Sequence, residues 1–250
     1  MKKKIKGFYL FITSIFIALL HLPFAFAKSA SGARLFHHPA TDSNKKTYVN
    51  AEAVIPILKS VYDSLHLNLK GLSQQAFDYA KEGLNKLIEE GKLLNDSIIS
   101  IIDFSQPSNK KRLFIIDLKK YKILFNTLVA HGRNTGREWA TSFSNQESSY
   151  KSSPGFYITK ETYDGRNGYS LKLDGIESGI NDNAYLRGIV MHGAAYVSDD
   201  LVHAQGYIGR SQGCPAVPVQ LSGPIINTIK NGTCLFVYHP SYIYRSSLLN

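Results

Sequence analysis

The spacing of hydrophobic positions changes near residue 97. Before it, apolar residues recur every three or four positions, which predicts two helices. The first covers Val54 to Leu65. The second is capped by Ser73, ends at Gly91, and carries its apolar face on Phe77, Ala80, Leu84, Leu87 and Ile88.

After residue 97 the chain has short β-rich runs separated by Gly, Asn, Ser or Pro clusters, a pattern typical of sheet. A short helix is expected to open at Ser222 to Pro224 before a last strand. The predicted strands cover 100–104, 112–118, 122–130, 155–160, 169–174, 187–192 and 233–238. The fold class is therefore mainly β (α+β), with a sheet domain over 98–250 and a helical N-terminal segment, 48–97, that packs on it.

The first 27 residues have the pattern of a secretory signal peptide. Basic residues at 2–6 precede an apolar stretch, and Ala25-Phe26-Ala27 supplies small residues for cleavage after Ala27. An uncleaved anchor is the alternative, although the apolar run is short for a membrane span. Polar residues 28–47 then form a flexible lead-in. We expect a periplasmic or secreted protein with no stable membrane span after cleavage.

Charge and cysteine content narrow the function. The chain has 250 residues and 29 basic against 19 acidic side chains, and the leader carries four of the lysines. The remaining excess of positive charge favours an anionic partner without choosing among nucleic acid, membrane and wall polymer. Two cysteines exclude a disulfide-dense scaffold and a four-thiolate zinc site.

The densest cluster of candidate chemistry is Gly-Arg-Ser-Gln-Gly-Cys-Pro at 209–215. Its Gly and Pro residues predict a turn that displays Cys214. A thiol nucleophile needs a base and a cationic neighbourhood, which His192, at the end of an apolar strand, and Arg210 can supply. The backbone amides of Gln212, Gly213 and Cys214 are candidate donors to an oxyanion.

Two other interpretations use the same residues. Cys214 could form a structural disulfide with Cys234, because paired cysteines are common in secreted chains. Alternatively, Gly209 to Gly213 matches the G-x-S-x-G nucleophile elbow, with Ser211 as nucleophile. That triad places an acid between the serine and its histidine, and no Asp or Glu follows Ser211 before His239.

The remaining residues point to no metal or cofactor. His131 follows a predicted strand and is best explained as a hydrogen-bonded turn residue. No H-E-x-x-H or paired C-x-x-C motif is present, so no metal site is predicted. Neither a phosphate-binding loop nor an RNA-binding motif occurs, so we expect no cofactor and no nucleic-acid partner.

The motifs together resemble the L,D-transpeptidase catalytic domain, the YkuD-like family, over residues 98 to 239 and most strongly its murein L,D-transpeptidase branch. The family pattern is a histidine-glycine followed, after an interval, by Ser/Thr-His-Gly-Cys. Here His192-Gly193 precedes Ser-Gln-Gly-Cys at 211–214, so Gln212 stands where most members carry a second histidine. The resemblance implies a β-sandwich or barrel-like sheet.

The resemblance also implies an activity and roles. Cys214 would attack a peptidoglycan stem tetrapeptide, release D-alanine and form a thioester, with His192 as base and the Gly193 carbonyl orienting it. Arg210 and Ser211 would steer substrate carboxylates or shape the turn. Attack by an amine would give 3-3 cross-links or protein anchoring. Attack by water would make the protein an L,D-carboxypeptidase; a non-catalytic wall-binding module and a thiol protease of another class are the further alternatives.

Overall fold

The computed structural model describes residues 61–250. The predicted signal peptide, the lead-in and most of the first predicted helix lie outside these residues. No helix in 61–250 is long and apolar enough to cross a membrane.

Helix α1, Gln74–Glu89, begins where the sequence predicts. The Ser73 side chain accepts a hydrogen bond from the Ala76 backbone nitrogen at 3.1 Å, which satisfies one of the unpaired amides of the first turn. The chain leaves the helix through Gly91, whose φ of +64° lies in the left-handed region that favours glycine. The predicted cap and stop are both confirmed.

Eight strands form one mixed sheet. The strands are β1 Ile98–Asp103, β2 Leu113–Asp117, β3 Lys122–Thr127, β4 Gly155–Gly165, β5 Gly168–Gly175, β6 Val190–Gly193, β7 Ala216–Val217 and β8 Cys234–Tyr238. Their order in the sheet is β3-β2-β1-β8-β4-β5-β6-β7. Strands β1 and β8 pair in parallel, as do β6 and β7, and the other neighbours are antiparallel.

The two edges of the sheet approach each other. Just beyond β3, the Ala130 nitrogen donates to the Ala216 carbonyl of β7 at 2.8 Å, and a second bridge joins Gly132 to Ser211. These bridges nearly close the sheet into a barrel, which reduces its open edges. The mainly β, barrel-like fold class is as predicted.

Alternate residues of the central strands enter different cores. Phe114 and Ile116 pack with α1, whereas Leu113 and Ile115 face the opposite core. Three isoleucines of helix α3, Val219–Ile229, fill that second core. Because both faces are buried, the strands have continuous apolar runs instead of a polar alternation.

The structure differs from the predicted elements in several places. Strand β4 continues to Gly165, beyond the predicted end at residue 160. Helix α3 begins at Val219, before the predicted start, and holds Pro224 on its exposed side. Proline usually marks a first turn, which is why the sequence places the start too late. The sequence analysis also missed β7, helix α2 (Asp199–Gln205) and a 3-10 helix (Pro240–Arg245).

Candidate active site

Strands β6 and β7 bring the predicted nucleophile and base to one edge of the sheet. Their parallel register aligns His192 with Ala216. Cys214 lies two residues before Ala216, and Val190 lies two residues before His192, so Cys214 and Val190 are also side by side. Residues two apart on a strand share a face, which places Val190 and His192 on the same face of β6. Two residues that are far apart in the sequence thus share one cavity wall.

The buried imidazole of His192 has a defined tautomer. Its Nδ1 lies 2.9 Å from the Gly193 carbonyl oxygen. Because a carbonyl only accepts, Nδ1 carries the proton and Nε2 keeps its lone pair. Nε2 has no hydrogen-bond partner within residues 61–250, and His192 lines the cavity. The arrangement leaves a ring nitrogen available as a base.

The Cys214 thiol is free and partly buried. Its sulfur accepts from the Val190 nitrogen at 3.5 Å and lies 3.7 Å from the Gly188 carbonyl oxygen. It makes no hydrogen bond to His192, although both residues line the cavity. Burial raises the pKa of the thiol, while the Val190 amide and the Arg187 charge act in the opposite direction.

Ser211 fixes the turn that carries the cysteine. Its hydroxyl donates to the Cys214 carbonyl at 2.6 Å and accepts from the Gly213 nitrogen at 3.0 Å. Gly213 itself has a φ of +124°, which a side chain would strain. The two hydrogen bonds of Ser211 therefore hold the turn in this conformation.

One of the three predicted oxyanion donors, the Gly213 amide, is engaged in this structure. Since the Gly213 N–H already donates to Ser211, it is not available to an oxyanion in this conformation. A serine hydroxyl that accepts from the backbone N–H two residues later competes with any other acceptor for that N–H. The Gln212 and Cys214 amides donate to no other residue in the described part of the chain. They are the two candidate oxyanion donors that remain.

The cavity in front of the thiol has a volume of about 680 Å³. Among the described residues that line it there are three arginines and no Asp or Glu, which favours an anionic ligand. Arg210 donates to the carbonyls of Arg133 at 3.1 Å and Gly136 at 3.2 Å, which orients its guanidinium. The cationic residues are Arg166, Arg187 and Arg210.

His131 is held away from this cavity, as expected for a structural turn histidine. It is fully buried, with Nδ1 2.8 Å from Arg112 Nη2 and Nε2 3.3 Å from the Gly136 carbonyl oxygen. Burial lowers the pKa of His131 to about 3, and the Arg112 charge adds to the effect. The His131 backbone carbonyl accepts from the Ser211 nitrogen at 2.9 Å, so His131 helps to hold the turn that carries the cysteine.

The geometry also bears on the alternative interpretations. Cys234 is free and packs in the core beside α1, whereas Cys214 packs against the core on the other face of the sheet. This separation does not fit a bond between them. Ser211 is 5% exposed and its hydroxyl already bonds to two backbone groups, so it is not displayed as a nucleophile.

The comparison with protein families decides the assignment. The L,D-transpeptidase catalytic domain family matches residues 68–238, which is more than half of the chain. The chain belongs to this family. The matched region begins before α1, so it includes that helix as well as the sheet. Members of the family are enzymes that act on peptidoglycan. No match was found among curated proteins.

Several solved structures resemble this L,D-transpeptidase family member at low identity. An L,D-transpeptidase from Mycobacterium smegmatis has 10% identity and a TM-score of 0.37, over 57% of this chain and 59% of that one. An L,D-transpeptidase from Stackebrandtia nassauensis has 14% identity and a TM-score of 0.35, over 75% and 78%. The helical cell shape determining protein Pgp2 from Campylobacter jejuni has 14% identity and a TM-score of 0.38, over 57% and 48%. The match thus spans about three-fifths of the mycobacterial protein.

Proposed function

We propose that the protein is a secreted cysteine L,D-transpeptidase that acts on peptidoglycan stem tetrapeptides through a Cys214 thioester. The observation that carries this proposal is the His192 imidazole, whose Nδ1 is held by the Gly193 carbonyl at 2.9 Å while Nε2 is left to the cavity that Cys214 also lines. A base with a fixed tautomer beside a free thiol is the minimal apparatus of a thiol acyltransferase.

In the acylation step, Nε2 of His192 takes the thiol proton and the Cys214 sulfur attacks the carbonyl of the bond between diaminopimelate and terminal D-alanine. The tetrahedral oxyanion forms near the Gln212 and Cys214 amides. The protonated imidazole then gives its proton to the leaving nitrogen. The carbon–nitrogen bond breaks, D-alanine leaves with a neutral amine, and the thioester remains.

In the second step, His192 removes a proton from an acceptor while that acceptor attacks the thioester. An acceptor amine yields a 3-3 cross-link or an anchored protein and returns the thiol. Water yields the free acid, which is L,D-carboxypeptidase activity on the same substrate. The Gly193 carbonyl takes the place of a side-chain acid in orienting the imidazole throughout.

The charge of the cavity supports an acidic substrate. Its three arginines face a stem peptide that carries several carboxylates, and no carboxylate among the described lining residues competes with them. The predicted signal peptide agrees with a wall-directed protein, so we propose a periplasmic or secreted location after cleavage behind Ala27.

The test is incubation of the mature protein with a diaminopimelate tetrapeptide, with D-alanine release and product masses followed together. The proposal predicts D-alanine release that Cys214→Ala abolishes and Cys234→Ala retains. Dimeric 3-3 products identify the transpeptidase, whereas tripeptide alone identifies the carboxypeptidase. No D-alanine release from a folded wild type with an alkylatable Cys214 would contradict both activities and favour a wall-binding module.

A further inference from the structure

One short segment, residues 187–190, contacts the Cys214 sulfur. The Gly188 carbonyl lies 3.7 Å from the sulfur and the Val190 nitrogen lies 3.5 Å from it. The guanidinium of Arg187 lies beside the residue that precedes the cysteine, because its Nη2 would be 3.5 Å from a Cβ placed on Gly213. The segment thus brings two backbone groups to the thiol and a cation to the turn that carries it.

Arg187 is held in this position entirely by neutral groups. No ion pair within residues 61–250 includes it, so no carboxylate offsets its charge. Half-burial also limits how far water and salt screen that charge. Its partners are the Ser144 carbonyl at 2.9 Å, Ser153 Oγ at 2.7 Å, Ser149 Oγ at 3.3 Å and the Lys151 carbonyl at 2.7 Å.

We propose that Arg187 is the positioning residue that stabilises the Cys214 thiolate, the part that the sequence analysis gave to Arg210. The proposal rests on Cys214 being the nucleophile. Arg210 is exposed and binds the carbonyls of Arg133 and Gly136 through a single nitrogen. Arg187 is half-buried, and its Nη2 lies beside Gly213 in the turn of the cysteine. When the thiol ionises, the thiolate becomes the anion that Arg187 otherwise lacks.

The electrostatics of the two groups are reciprocal. Burial raises the pKa of Cys214, and the Arg187 charge opposes that rise. Burial lowers the pKa of Arg187, and the charges of Tyr157 and Cys214 oppose that fall. Each group therefore stabilises the charged form of the other in a site where burial opposes both charges.

Other charged or titratable groups face the thiol and have to be separated from Arg187. His192 lies on β6, Arg166 on the turn between β4 and β5, and Arg210 on the cysteine loop. Tyr196 also lines the cavity; burial raises its pKa to about 12, with the Cys214 charge adding to the effect, so it stays neutral near pH 7. Only a variant that changes Arg187 alone isolates its contribution.

The experiment measures the rate of Cys214 alkylation by iodoacetamide from pH 5 to pH 10, without substrate. It is run in a His192→Gln, Cys234→Ala background so that the thiol titrates alone. Arg187→Gln is expected to reduce the thiolate fraction at pH 7 about tenfold, equivalent to a rise of about one pKa unit. Arg187→Lys, which keeps the charge, and Arg166→Gln, which removes a charge from another wall, are expected to change it by less than about threefold.

Two results would overturn the assignment. Equal slowing by Arg187→Lys and Arg187→Gln would mean that Arg187 only holds the 144–153 loop. Equal slowing by Arg166→Gln would mean that the total charge of the cavity matters and not this residue. Thermal melting checks that each variant folds, and Arg187→Met replaces the glutamine variant if that one does not. The alkylation experiment uses no substrate, so its result is independent of the tetrapeptide experiment. If the Arg187 variants behave as expected but the tetrapeptide gives no acyl-enzyme, the proposed function is contradicted and the Arg187 assignment stands.

Discussion

The Cys214 sulfur lies 3.5 Å from the Val190 backbone nitrogen and makes no hydrogen bond to His192, although both residues line one cavity. A catalytic hydrogen bond is often long in a substrate-free enzyme and tightens when substrate binds. The two groups therefore have to approach each other during acylation. The thiol is the mobile partner in this account, because the Gly193 carbonyl fixes the imidazole.

Replacing the base tests this division of roles. We expect His192→Gln to slow acylation by about 10²- to 10⁴-fold, because glutamine cannot accept the thiol proton. The measurement is the rate of D-alanine release under single turnover. His203→Gln is the matched control, since His203 is exposed on α2 and does not line the cavity. Wild-type acylation by the His192 variant would exclude the imidazole as base.

The Ser211 hydroxyl is expected to be important for stability as well as for activity. Ser211→Ala leaves the Gly213 amide and the Cys214 carbonyl without their partner, which we expect to cost about 1–3 kcal/mol of unfolding free energy. D-alanine release should fall with it, because the turn loses its fixed geometry. Denaturant unfolding and the release assay measure the two effects.

A second buried serine supplies the control for that variant. Ser100 in β1 is fully buried, and its Oγ has no hydrogen-bond partner in the described chain. Ser100→Ala removes a hydroxyl without breaking a bond, so it should leave the unfolding free energy unchanged or raise it. Equal losses for both variants would mean that the two bonds of Ser211 contribute nothing specific.

The close contact between Gly83 and Phe156 predicts that alanine at position 83 destabilises the protein, although alanine normally stabilises a helix. A Cβ on Gly83 would lie 2.0 Å from the Phe156 ring, where α1 crosses the sheet. Gly83→Ala should therefore lower the unfolding free energy by about 1–3 kcal/mol through overpacking, despite the better helix propensity of alanine. Gly223→Ala in α3, where a Cβ meets nothing within 4 Å, should raise it by about 0.5–1 kcal/mol. Thermal melting that ranks the two variants in the reverse order would contradict the packing argument.

Buried His131 predicts a pH dependence of stability. Burial lowers the pKa of His131 to about 3 in the folded protein, against about 6.5 in an unfolded chain. Between these values the unfolded state binds more protons, so the contribution of His131 is complete above pH 6.5 and is lost as the pH falls toward 3. The gap in unfolding free energy between wild type and His131→Asn should narrow by roughly 1.4 kcal/mol per pH unit below pH 6. A gap that stays constant from pH 7 to pH 4 would contradict this account.

The sequence predicted the elements whose signals are local. Helix α1 has a serine cap and a regular apolar face, and the central strands are continuous apolar runs between turn residues. Helix α2 was missed because none of its residues is buried, so it has no apolar face for periodicity to detect. Its signal was the cap itself, Ser198 followed by Asp199 and Asp200.

The sequence could predict only those site residues whose type and local motif indicate a chemical role. Cys214 and His192 could be named from their motifs, and the structure brings them to one cavity. Arg187 could not, because its partners lie 34 to 43 residues earlier in the chain and no spacing rule connects them. The engagement of the Gly213 amide was missed for a different reason, since it depends on which way one serine side chain turns.

The central claim is the Cys214 thioester, and the intact mass of the mature protein shortly after mixing with a diaminopimelate tetrapeptide tests it most directly. The account predicts that wild type and Cys234→Ala gain the mass of the stem acyl group without D-alanine, and that Cys214→Ala gains nothing. Release of D-alanine by Cys214→Ala at the wild-type rate would contradict it, as would a wild type that neither gains mass nor releases D-alanine while its thiol remains alkylatable.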